Sequence, residues 1–125
     1  NAGDTLEDAG QRLLLGAIEV YAPTKGNHLG CLIATTATTA AGSNPAVRSV
    51  LATFLSDVDQ LIRTTIKRRF GGNLADANVA SAADVLSAAM YSIAIRARAG
   101  ASRRQLSVIA ERAVATMGAV ARMAA

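Results

Sequence analysis

Tryptophan is absent from these 125 residues, and only two Tyr and two Phe occur. A core built on large aromatic side chains is thereby excluded, and so is an aromatic platform for stacking nucleic-acid bases. Cys31 is the only cysteine, so no internal disulfide can form. A reducing, cytoplasmic setting is the expectation that follows. His28 is the only histidine and lies three positions from that cysteine. One Cys and one His fall short of the four ligands of a structural zinc site, and a thiol nucleophile needs an oriented base. No metal, no cofactor and no catalysis are expected. Gly-rich phosphate loops are missing as well, and Asp57 and Asp59, two apart, point to different helix faces. Nothing resembles a signal peptide, and the apolar tail over 113–125 is too short to span a bilayer and is interrupted by Arg122. An initiating Met is absent too, and Asn1-Ala2 is consistent with a remnant of tag removal on a fragment of a longer protein.

What is present is aliphatic. Residues of the hydrophobic class make up 51% of the chain, and Ala dominates the last third. That mixture favours closely packed helices over a sheet. The net charge of +4 is modest and its basic residues are scattered, so direct nucleic-acid binding by this chain is not expected.

Five helices are predicted. The first runs from about Asp4 to Ala22, capped by Asp4 or Thr5, with Glu7 and Asp8 favouring its N-terminal dipole. Leu6, Leu13, Leu14, Ala17, Ile18 and Tyr21 have helical spacing, and Pro23 stops the run. After a turn at Gly26-Asn27, a short second helix covers about Leu29 to Ala41. Its Thr35, Thr36, Thr38 and Thr39 either line a ligand cavity or bond back to the helix backbone. A strand competes for this stretch, but nothing else in the chain could pair with it. The third helix opens at Asn44-Pro45 and closes at Gly71-Gly72. Between them Val47, Val50, Leu51, Phe54, Leu55, Val58, Leu61, Ile62 and Ile66 recur at steps of three and four. Asp59 and Arg63 form an i,i+4 pair in the favourable order.

The last two helices, about 79–99 and 102–123, are joined at Gly100 by a link so short that they must form an antiparallel hairpin. Ser102 and Gln105 make a capping box for the second of them. Both carry apolar residues over most of their circumference, more than one packed face requires. We therefore expect two hairpins to meet across a two-fold axis as a four-helix bundle in a homodimer. The expected interface residues are Val85, Ala89, Ser92, Ile93, Arg96, Ala110, Ala113, Val114 and Met117. Asp84, Arg96, Arg98 and Arg112 argue against membrane insertion.

Gly30-Cys31-Leu32-Ile33, an Ala/Thr-rich short helix, and Asn44-Pro45 opening a long amphipathic helix together resemble the C-terminal domain of TetR-family transcriptional repressors. So does the stretch Arg96-Ala97-Arg98-Ala99-Gly100-Ala101-Ser102-Arg103-Arg104-Gln105-Leu106, which resembles the join of the last two helices in the AcrR-like branch. The resemblance covers nearly the whole chain, and its motifs are more specific in their order than singly. It implies an all-α regulatory domain of five helices over 1–125 that dimerises and holds a small-molecule cavity. It also implies a helix-turn-helix domain that reads operator DNA as a dimer and is absent from this chain. Ser92 departs from the pattern, since many relatives have Gly there. An apolar or amphipathic organic effector is expected. The candidate lining residues, chosen by position, are Leu14, Ile18, Tyr21, Thr35, Thr39, Phe54, Val58, Leu61 and Tyr91. A helical assembly module without a ligand is the alternative, and a small enzyme using His28 and Cys31 a more distant one.

Overall fold

The structure is a computed structural model that describes residues 3–26, 30–31 and 33–124, with the side chain of Thr35 left out. Among these residues there is no strand. Helix α1 spans Leu6–Tyr21, α2 Thr38–Ala41, α3 Pro45–Phe70, α4 Asp76–Arg98 and α5 Arg103–Ala121. A π-helical turn, Ile33–Ala37, leads into α2, and a 3-10 turn, Gly71–Asn73, follows α3.

Local chemistry sets most of these boundaries. Thr5 caps α1, and Asp8 completes a capping box with it. Asn44 Oδ1 accepts from the backbone N–H groups of Ala46 and Val47, with Pro45 at the first helical position. Ser102 and Gln105 form the expected capping box on α5. Gly100, at φ +93°, ends α4 in a left-handed turn. There the Ala101 N–H donates to the Arg96 carbonyl and the Gly100 N–H to that of Ala97, the two bonds of a Schellman motif. The second helix is shorter than the pattern suggests and begins as a π-turn. Thr38 bonds back to the Ala34 carbonyl at 3.3 Å, so its hydroxyl is engaged with its own backbone.

Helices α4 and α5 pack antiparallel, and α1 lies across both. It runs parallel to α4 and antiparallel to α5, as its two ends show. Glu7 at its start pairs with Arg122 just after α5, while Arg103 at the start of α5 pairs with Glu19 and donates to the Ala22 carbonyl at 2.6 Å. Leu14, Ile18, Ile93, Leu106 and Met117 are the largest fully buried side chains. Each contributes about 1.5–3 kcal/mol by burial, whereas the exposed ion pairs contribute about 0–1 kcal/mol each. The aliphatic core therefore dominates.

The packing of α1 corrects the expected surplus on the hairpin. Ala89, Ile93, Ala110, Val114 and Met117, named as dimer contacts, are buried within the single chain. Val85, Ser92 and Ala113 are half-buried, and Arg96 is exposed. The reason is that one long helix covers the inner face of both hairpin helices at once. Helix α4 is long and apolar enough to cross a membrane by length and composition, and 44% of that stretch is buried inside the domain.

Helix α3 packs antiparallel on the other flank of α4. Three polar links tie them: Lys67 to Asp76, Arg63 to Asp84 at 2.9 Å, and the Ser87 hydroxyl to Asp59 at 2.7 Å. The anticipated Asp59–Arg63 pair is thus replaced, because α4 offers each group a partner of its own. Only Ile62 and Ile66 of the long apolar stripe are buried. The first half of α3 is held mainly by its turn to α2, where Arg48 Nε donates to the Ala41 carbonyl at 3.1 Å.

A candidate effector site between α1 and α3

Helices α1 and α3 both lean on α4 but make little contact with each other. The gap between them is a cleft of about 290 Å³. Leu6, Ala9, Gly10 and Leu13 of α1 form one wall, and Leu61, Ile62, Ile66 and Phe70 of α3 the other, over a floor at Leu86 of α4. Gly10 is part of the shape. A Cβ there would sit 3.1 Å from Met117 Cε and 3.4 Å from Leu86 Cδ2, so glycine lets α1 settle onto the hairpin. Further along α1, beyond Arg12 and Leu13, a second groove passes Gly16, Ala17, Val20 and Tyr21 toward Met90.

The polar lining groups are Arg12, Thr65 and Arg69. At the α1 N-terminal end, Asp4 Oδ2 accepts from Arg12 Nη2 at 2.6 Å and from Arg69 Nη2 at 3.4 Å. The Arg69 guanidinium also lies 5.0 Å from the Phe70 ring centroid. Thr65 reaches the wall, but its hydroxyl donates to the Leu61 carbonyl. Two phenols lie elsewhere: Tyr21 lines the extension along α1, and Tyr91 of α4 lines neither stretch. Burial, helped by Cys31, pushes Tyr21 up to about 12. Burial, with Asp59 and Cys31 nearby, raises Tyr91 too, and its buried hydroxyl has no hydrogen-bond partner among the described residues. An orphaned buried hydroxyl is costly, by about 1–3 kcal/mol.

The structure brings some of the nominated residues together and separates others. Leu61 lines the cleft and is 68% exposed. Tyr21 lines its extension, while Phe54, Val58 and Tyr91 are half-buried. Leu14 and Ile18 do not line it, because they face the α4–α5 hairpin as core. Thr39 is exposed, as are Thr36 and Thr38, and the Thr35 side chain lies outside the described atoms. His28 also lies outside the described residues, and Cys31 is half-buried beside Tyr21. No group of His, Cys, Asp and Glu able to hold a metal occurs among the described residues.

Sequence reasoning missed Leu6, Leu13, Ile62, Ile66, Phe70, Arg12 and Arg69 as lining residues. A signal existed for α1. Leu13, Ala17 and Tyr21 recur at steps of four beside the second series Leu14 and Ile18, so the helix carries two apolar faces and needs two partners. Only one of them is the hairpin.

The chain matches no known family model, no curated protein and no solved structure.

Proposed function

We propose that this chain is the effector-sensing and homodimerisation part of a TetR-type transcriptional regulator of the cytoplasm. In this reading it is not an enzyme. It binds a small apolar or amphipathic molecule and, through that, sets the DNA binding of a helix-turn-helix domain outside these 125 residues. The observation that carries the reading is the open cleft between α1 and α3, whose apolar walls carry a few polar groups, Arg12, Thr65 and Arg69. Small-molecule sites have that distribution of apolar walls and few polar anchors. The ordered motifs from Gly30 to Leu106 support the same reading from the sequence side. Effector binding would then act as a population shift between DNA-competent and DNA-incompetent spacings of the dimer.

The test is thermal unfolding of the chain with a panel of hydrophobic drugs, fatty acids and aromatic acids. A ligand at a hundred times its Kd stabilises by about 2.7 kcal/mol, a rise in Tm on the order of 10 °C for a chain of this size. Leu61→Gln, which alters the wall at an exposed position, is expected to reduce that rise without lowering the Tm of the free chain by more than a degree or two. Absence of any stabilisation across the panel would favour the assembly module instead.

A further inference from the structure

We propose that the α1–α3 cleft selects a long-chain carboxylate, whose head group displaces Asp4 from Arg12 and Arg69. The inference rests on the reading of the cleft as the effector site and names the class of effector and the device it works on. Two guanidinium groups stand at the mouth of an otherwise apolar cleft, and they share a single carboxylate oxygen. Each guanidinium has five N–H donors in a planar fork suited to bidentate carboxylate binding, so most of that capacity is unused by Asp4. Asp8, whose charge also feels Arg12, holds the Thr5 N–H in the capping box rather than a guanidinium. Lys67 of α3 does not line the cleft and is paired with Asp76. Asp4 itself is a carboxylate carried by the chain at the place an amphipathic acid would put its own.

The tail has room to follow. The cleft and a second groove meet at Arg12 and Leu13, and together they follow α1 from Leu6 to Tyr21, roughly 22 Å at 1.5 Å per residue. Asp4 immediately precedes the cap of α1, so exchanging it for a ligand carboxylate releases the chain entering that helix. Occupancy of the cleft is thereby transmitted to whatever precedes Thr5.

The experiment is calorimetric titration with dodecanoate, dodecanol and dodecyltrimethylammonium, all kept below micelle formation. The chain is used as wild type, Asp4→Asn, and Arg12→Gln/Arg69→Gln, with circular dichroism to verify folding. Dodecanoate is expected to bind at least tenfold tighter than the other two. The double arginine variant should lose that preference yet keep the dodecanol affinity, and Asp4→Asn should tighten dodecanoate about fivefold. Amide hydrogen exchange over residues 4–8 should accelerate when dodecanoate binds wild type. Equal affinities for dodecanoate and dodecanol would overturn the carboxylate assignment while leaving the cleft as a ligand site. An unchanged dodecanoate affinity in Asp4→Asn would overturn the displacement. Binding of none of the three would overturn the effector reading itself.

Discussion

Gly30 shows how a single residue sets the approach of the chain to its core. Its φ is +66°, and a Cβ built there would run into the Ala94 carbonyl oxygen and lie 3.3 Å from Arg98 Cβ. Its N–H donates to the Tyr21 carbonyl at 3.2 Å, which holds the returning chain against the end of α1. Gly30→Ala is therefore expected to lose about 1–3 kcal/mol, read as a lower urea midpoint at unchanged m-value. Gly16 is the contrast. It sits inside α1 with nothing within 4 Å of its hypothetical Cβ, so Gly16→Ala should gain about 0.5–1 kcal/mol. The sequence marks Gly30 only as part of a familiar string. Its steric reason lies on α4, more than sixty positions away, and so is invisible to local reading. The partners of Asp59 and Arg63 are hidden in the same way, since helical spacing offers each the other while α4 supplies Ser87 and Asp84.

At the scale of elements, the helix ends were the most legible part. Asn44-Pro45, Gly100 and the Ser102–Gln105 box each act on backbone no more than five positions away, and each does in the fold what its chemistry dictates. The second helix was less legible, because four threonines allow several backbone-bonding patterns of similar energy. Least legible was how much of a periodic stripe is used. The apolar positions of α3 are spaced alike along its length, yet Ile62 and Ile66 are buried while Val50 is 67% exposed. Periodicity reports that a face exists, not that another element covers it. Amide exchange should divide α3 accordingly. Amides over 46–58 are expected to exchange at least tenfold faster than those over 60–70, where α4 packs. Uniform protection along α3 would show that its first half is covered in solution.

For the molecule as a whole, the short link at Gly100 makes the antiparallel hairpin its length implies, but α1 of the same chain covers most of the hairpin's apolar surplus. Counting apolar residues per helix cannot tell which neighbour takes them. The candidate site shows the same limit: its residues come from two helices whose separation depends on how each rests on a third. If the chain dimerises as we propose, the contact must use the outward stripe of the hairpin, Ala77, Ser81, Ala88 and Ile95 on α4 with Arg112, Thr116 and Ala119 on α5, all exposed. Ala88→Glu is therefore the appropriate test. It is expected to convert a dimer to a monomer in sedimentation at micromolar concentration, with the helical signal unchanged. Ala89→Glu, one position on, should instead unfold the chain by burying an unpaired charge in its own core. A wild type already monomeric at that concentration would remove the dimer from the reading.

Helix α3 is held by the core at one end and by a small turn at the other, which makes it mechanically a cantilever. Its anchor is near Ile62 and its tip is Pro45. The distance between them is roughly 25 Å, so a tilt of about 10° at the anchor carries the tip about 4 Å. A molecule wedged between α1 and α3 needs to move its wall only slightly for the far end of the lever to report it.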